Sequence, residues 1–239
     1  MQQTALNLIA VSIFSFTFLA LVGPLLNIPP TIPAAITLGL LGAATIDTLT
    51  WEGKGITLLL GLFASDEERE RVLHHEAGHF LVAYLLGIPV ASYTLSAWDA
   101  FWQSESGLAG VQLQVDPPLE AQPHLSEMPK TLERFATVWM AGIAAESIIY
   151  GRSNGGKTDR QQLREALQLS GLSEMMQVQK ERWAISQAKE LIRENQLSYG
   201  SLVEAMKRGD SVTNCCQILE REVQSVVDNA RETKSSPQI

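Results

Sequence analysis

Not one Asp, Glu, Lys or Arg occurs between Met1 and Ile46. A stretch so free of charge reads as membrane-seeking, because a span needs only about 20 apolar residues. Basic residues are scarce elsewhere too. Eighteen Lys and Arg against 26 Asp and Glu leave a net charge of −8 and a pI near 5.1. With no basic stripe, that balance excludes nucleic acid as the main partner. Cysteine is nearly missing: Cys215 and Cys216 are the only two, and they are adjacent. Vicinal cysteines seldom form a structural disulfide, so a reducing compartment is the simple reading. No long internal repeat stands out.

The charge-poor region falls into segments. Ala5 to Asn27 is long enough for one membrane span, and Pro29, Pro30 and Pro33 then break the run. Ala34 to Trp51 is a second apolar stretch, with Asp47 its only charge and a tryptophan suited to the interface at its end. Gly55 to Ala64 is shorter and reads as an interfacial or packed piece. No basic lead-in precedes the first run, which favours a retained anchor over a cleaved signal. Residues 1–64 are therefore expected to be a membrane anchor of one or two helices, a two-span hairpin being the favoured form. Positive charge first appears at Lys54, Arg69 and Arg71. The body that follows should accordingly lie on the cytoplasmic, or stromal-type, face of the bilayer.

Beyond the anchor, His75-Glu76-Ala77-Gly78-His79 matches H-E-x-x-H. On a helix, residues four apart share a face, so His75 and His79 can aim at one metal ion. Glu76 is placed to take a proton from a metal-bound water. The flanks predict that helix. Ser65 and Glu68 form a capping box, Asp66 to Glu68 put acids in its first turn, and Gly87 with Pro89 ends it. A buried helix with two histidines must satisfy their ring nitrogens, and a metal does so. His74 points about 100° away from His75 and reads as a surface or outer residue.

Ser92 to Val115 reads as extended structure, with Trp98, Phe101 and Trp102 as a local hydrophobic patch or a gating lip. Asp116 to Lys130, with four prolines, is a loop. Thr131 to Tyr150 and Thr158 to about Val227 carry a helical period, the latter broken near Gly171, Gly200 and Gly209. Glu232 to Ile239 is a polar tail expected to be disordered. The fold class is thus mainly α with a small β element, and residues 65–231 form the principal domain.

Two histidines need a third protein ligand. Asp116, His124, Glu146 and Asp159 are the candidates. The first two sit in the proline-rich loop, which is less able to hold a ligand rigidly. Glu146 lies on a helix of small residues, Ala141-Gly142-Ile143-Ala144-Ala145, that could approach another helix closely. Asp159 follows Thr158, which could cap a new helix with Gln161 three residues later.

Here the chain resembles a known family. His75 to His79 followed by Leu81-Val82-Ala83 looks like the opening of the FtsH-type zinc peptidase domain. Ala141 to Glu146 is similar to its G-G-R-x-A-E-E segment, and Ile148-Ile149-Tyr150-Gly151 to the apolar-apolar-Phe-Gly that follows it. Ala188 to Asn195 resembles the C-terminal helix, so the likeness runs roughly from Glu67 to Glu220. The resemblance implies a zincin-like peptidase domain with Zn2+ on His75, His79 and Asp159, the aspartate opening a helix. It implies Glu76 as general base, and leaves Glu146 as a group orienting a ligand histidine. Polypeptide substrates, the lipid bilayer and a homo-oligomer or full-length FtsH-type subunits are the partners it suggests.

The departures from the family are specific. Arg152 to Lys157 replaces its T-T-G-A lead-in, and Ile143 stands at its arginine. Its ATPase module has no room between the anchor and the peptidase, where only Trp51 to Ala64 intervenes. Gly151 to Thr158 does fit the nucleotide-binding pattern G-x-x-x-x-G-K-T, but that loop needs a buried strand before it, and the residues from Thr131 read as helix. Nucleotide binding is therefore not expected. The expected activity is a membrane-anchored zinc metalloendopeptidase that cuts membrane or unfolded proteins, with an extended substrate beside Gly110 to Val115. Two alternatives stand beside it. One is an accessory, non-catalytic subunit of an FtsH-type complex. The other is an intramembrane site-2-type protease, which the acid-rich start Asp66 to Arg71 and the lack of an N-x-x-P-x-x-L-D-G signature disfavour.

Overall fold

The computed structural model describes residues 31–50, 65–95, 110–114 and 129–222, with scattered positions between 10 and 29. These residues are mainly helical, with one two-stranded sheet. The chain divides into two compact units, residues 1–69 with 96–109 and residues 70–95 with 110–239.

Helix α1 (Thr31–Thr50) covers the second expected membrane span. Among the described residues no helix is long and apolar enough to cross a membrane, so α1 does not support that expectation. Ala5 to Asn27 lies largely outside the described residues. Gly55 to Ala64, the aromatic residues Trp98, Phe101 and Trp102, Asp116, His124 and the 232–239 tail lie wholly outside them.

Helix α2 (Asp66–Leu85) begins with the expected capping box. The Glu68 amide donates to Ser65 Oγ and the Ser65 amide to Glu68 Oε2, each at 3.2 Å. From His75 to Ala83 every residue is buried, which requires protein on all sides of this stretch. The helix ends where Gly87 takes a left-handed φ of 65°. The Gly87 amide then donates to Tyr84 O and the Ile88 amide to Ala83 O, which satisfies two free carbonyls.

Strands β1 (Val90–Thr94) and β2 (Gly110–Leu113) pair antiparallel, Tyr93 opposite Val111, with an irregularity between Val90 and Ser92. Tyr93 packs edge-on against Phe80 of α2, ring centroids 6.1 Å apart, and its hydroxyl donates to the Asp210 carbonyl. This fastens the small sheet to helix α2.

Helix α3 (Pro129–Trp139) starts on a proline, which lacks the amide that a first turn leaves unbonded anyway. Only Met140 separates it from α4 (Ala141–Tyr150). Helices α5 (Lys157–Leu169), α6 (Glu174–Glu194) and α7 (Gln196–Lys207) follow, then helical residues 212–222. One core cluster surrounds α2: Phe80 and Leu81 pack with Ala141, Ala144 and Ala145 of α4, Ile192 of α6 and Leu202 and Met206 of α7. Fully burying each large apolar side chain contributes about 1.5–3 kcal/mol. A second cluster joins Leu132, Ala136 and Ile143 to Leu163, Leu167 and Ala184.

Two boundaries differ from expectation. Thr158 does not cap α5; the helix starts at Lys157 behind Gly156, whose φ of 85° turns the chain without a side-chain cap. The break expected at Gly200 falls instead at Asn195, between α6 and α7. There the Asn195 side-chain amide and its own backbone amide both donate to Leu191 O, at 2.9 and 3.2 Å. Local competition of this kind ends a helix more readily than a glycine within it.

Candidate metal centre

Three elements meet at one corner. Helix α2 brings His75 and His79, a turn apart, to the same side, and their rings sit edge to face with centroids 4.8 Å apart. Helix α4 crosses α2 closely because both carry glycine at the crossing. A Cβ on Gly78 would stand 2.7 Å from Ala141 O, and one on Gly142 would collide with the His75 ring. Helix α5 supplies Asp159 from its first turn.

One ring nitrogen of each histidine is committed outward. His75 Nδ1 lies 2.7 Å from Glu146 Oε1, and His79 Nδ1 lies 2.7 Å from the Val138 carbonyl oxygen. A carbonyl only accepts, so His79 carries its proton on Nδ1 and leaves Nε2 free to ligate. An ionised Glu146 imposes the same tautomer on neutral His75. Both Nε2 atoms then face Asp159 Oδ2, His75 at 3.0 Å and His79 at 3.6 Å. One donor atom from each residue lies within 4.8 Å of the others. Two imidazole nitrogens and one carboxylate oxygen are a donor set that could hold a divalent metal ion, so these residues fit the zinc that their sequence pattern implied.

Glu146 is not one of the three converging donors. It lies on the far side of His75, buried to 1% exposure, where it accepts from the Asn154 amide at 2.8 Å and the Gly155 amide at 3.2 Å. These two amides belong to the stretch that matched a nucleotide loop. That stretch follows helix α4, not a strand, and turns its amides on a carboxylate of the chain itself.

The electrostatics follow from the crowding. Burial works against the His75 imidazolium, but Asp159 and Glu146 outweigh it and raise its pKa to about 10. Burial likewise opposes ionisation of Asp159, yet the hydrogen bond with His75 and the nearness of both imidazoles hold its carboxyl well below the ordinary range. Without a metal, His75 is thus a protonated bridge between two carboxylates. A divalent cation and the Nε2 proton are alternatives for one lone pair.

Glu76 is 8% exposed. Burial pushes its carboxyl up, and the neighbouring His79 and His75 imidazoles pull it down without restoring the ordinary value. Its Oε2 accepts from the Val111 amide of β2 at 3.0 Å, so the edge of the small sheet borders the group expected to act as base.

His74 is half-buried. Its ring stacks on Tyr199 and meets Tyr150 edge-on, and its Nδ1 lies 2.9 Å from the Tyr199 hydroxyl. The Val138 carbonyl and the Val111 amide escaped sequence reading because backbone groups leave no residue-type signal. Gly142 and Gly78 had a signal, small residues facing along two helices, but only the crossing shows what it was for.

Comparison with models of known protein families gives no match, and comparison with curated proteins gives none.

Proposed function

We propose that this chain is a zinc-dependent metalloendopeptidase of FtsH-like type, tethered to a membrane through residues 1–64 and acting on membrane or unfolded polypeptides. The observation that carries the reading is the convergence of His75 Nε2, His79 Nε2 and Asp159 Oδ2 within 4.8 Å. His75, His79 and Asp159 would hold the zinc ion, which would supply Lewis acidity and lower the pKa of a water towards about 7.

The chain's own residues would do the rest. Glu76 takes the proton of the attacking water and later returns it to the leaving amine. Glu146 and the Val138 carbonyl keep both histidines in the ligating tautomer. An extended peptide would lie along β2, whose Val111 amide already points at the base. The charge-free sequence from Met1 to Ile46 supports the tether.

Metal analysis of the purified chain beside Glu76→Gln, His79→Ala and Asp159→Ala tests the centre. We expect one zinc in wild type and in Glu76→Gln, and loss of stoichiometric metal in the two ligand variants. Hydrolysis of an unfolded protein should occur in wild type and vanish in Glu76→Gln. Zinc-loaded wild type that cuts no faster than Glu76→Gln would replace this reading with the accessory-subunit one.

A further inference from the structure

Arg71 stands one helical turn before His75 on α2. Its side chain is 13% exposed, and the Glu146 carboxylate beside it is 2% exposed. Nη1 of Arg71 lies 3.5 Å from Glu146 Oε2 and donates to the Arg152 carbonyl at 3.4 Å. Its Cζ lies 4.1 Å from the centroid of the Tyr150 ring.

Three parts of the metal corner meet in these contacts. Glu146 holds His75 Nδ1. Tyr150 is the last residue of α4, the helix that carries Glu146. Arg152 is the second residue of the 151–156 segment, which runs directly into α5 and Asp159. A planar guanidinium lies flat on an aromatic ring and still donates sideways, which an ammonium cannot do at once. Exposed ion pairs contribute little, but here the acceptor is buried and already binds a histidine.

We propose that Arg71 is a positioning residue of the metal centre, acting through Glu146 and the 151–156 segment to hold His75 and Asp159 in convergent geometry. The proposal rests on the metal-binding reading above and deepens it. Arg71 touches none of the three ligand atoms itself. It ties the carboxylate that orients one ligand to the segment that delivers another.

The test is titration of the full-length metal-free chain with Zn2+ and Co2+, comparing wild type, Arg71→Met, Glu146→Gln and the double variant. Loss of a group that orients a metal ligand typically weakens binding 10–100-fold. Arg71→Met, acting one step farther out, should weaken it by about tenfold and alter the visible absorption of bound Co2+. In the Glu146→Gln background the same change should add less than about twofold, because Glu146 also holds the Asn154 and Gly155 amides and both routes are already weakened. Arg71→Met affinity within about twofold of wild type, or losses that simply multiply in the double variant, would overturn the proposal. If Arg71→Met does not fold by circular dichroism, Arg71→Lys takes its place; several-fold weaker binding is then expected, and wild-type affinity is the overturning result. Wild type that takes up no metal sinks the metal reading and this proposal together. Normal uptake in every Arg71 variant sinks this proposal alone.

Discussion

His75 and His79 sit a turn apart on one helix, yet the structure holds their outer nitrogens in opposite ways. His79 leans on a backbone carbonyl, Val138 O, that carries no charge and that no substitution removes. His75 leans on Glu146, a charged side chain itself held by two amides and Arg71. The first arrangement is rigid and electrically quiet. The second is tunable, and it brings a second carboxylate to a ring that already faces Asp159. One helix thus carries one candidate ligand set by the main chain and one set by a side-chain network. Perturbations of the metal corner should act mainly through His75.

The largest expected effect is that of pH on the metal-free protein. The pKa of His75 rises from 6.5 to about 10 on folding. Its contribution to stability is therefore fully present below pH 6.5 and is lost as pH rises from there towards 10. Asp159 and Glu146 are shifted down and titrate in acid, outside that window. Thermal unfolding of metal-free protein between pH 6 and 10 should show a falling midpoint. Zinc-loaded protein, whose His75 has already lost its Nε2 proton, should show little of this fall. Equal slopes for both forms would mean that His75 is not the responsible group.

Next comes Glu146→Ala, which removes the tunable half alone. It should weaken zinc binding 10–100-fold by competition with a chelator and shrink the pH effect, since one of the two carboxylates raising His75 is gone. Unchanged affinity would erase the proposed difference between the two histidines.

Much of this corner was legible in the sequence, and what was not follows a pattern. The capping box at Ser65, the glycine stop at Gly87 and the His75/His79 pairing are local rules, satisfied within one helix, and they hold as read. The third donor depended on bringing together residues 84 positions apart; the residues alone left four candidates, and resemblance favoured Asp159. What failed had a tertiary or competing local cause. Gly200 looked like a break, but Asn195 broke the helix first. Thr158 looked like a cap, but Gly156 turned the chain one residue before the helix began. Arg71 was visible only as a positive charge, because its partners come from α4 and the loop after it.

Two glycine substitutions sharpen the comparison further. Gly142→Ala places a methyl group into the His75 ring. Overpacking of this kind costs about 1–3 kcal/mol, and here the ring that must move is the tunable ligand. Chemical denaturation should report the loss of stability, and zinc affinity should fall with it. Stability lost with affinity intact would place the strain in the α2–α4 crossing and not at the ligand.

Gly200→Ala is the opposite case and the smallest effect. Gly200 lies inside α7, and a Cβ there meets nothing within 4 Å. Alanine lowers the conformational freedom of the unfolded chain and favours the helix, so the variant should be more stable by roughly 0.5–1 kcal/mol. Zinc affinity should stay at the wild-type value, since α7 contributes no donor to the centre. The same exchange of a hydrogen for a methyl then changes sign between two helices, for a reason visible only in what surrounds each glycine. A Gly200→Ala protein that is destabilised, or binds zinc less well, would mean that α7 communicates with the metal corner through the His74–Tyr199 contact more strongly than its geometry implies.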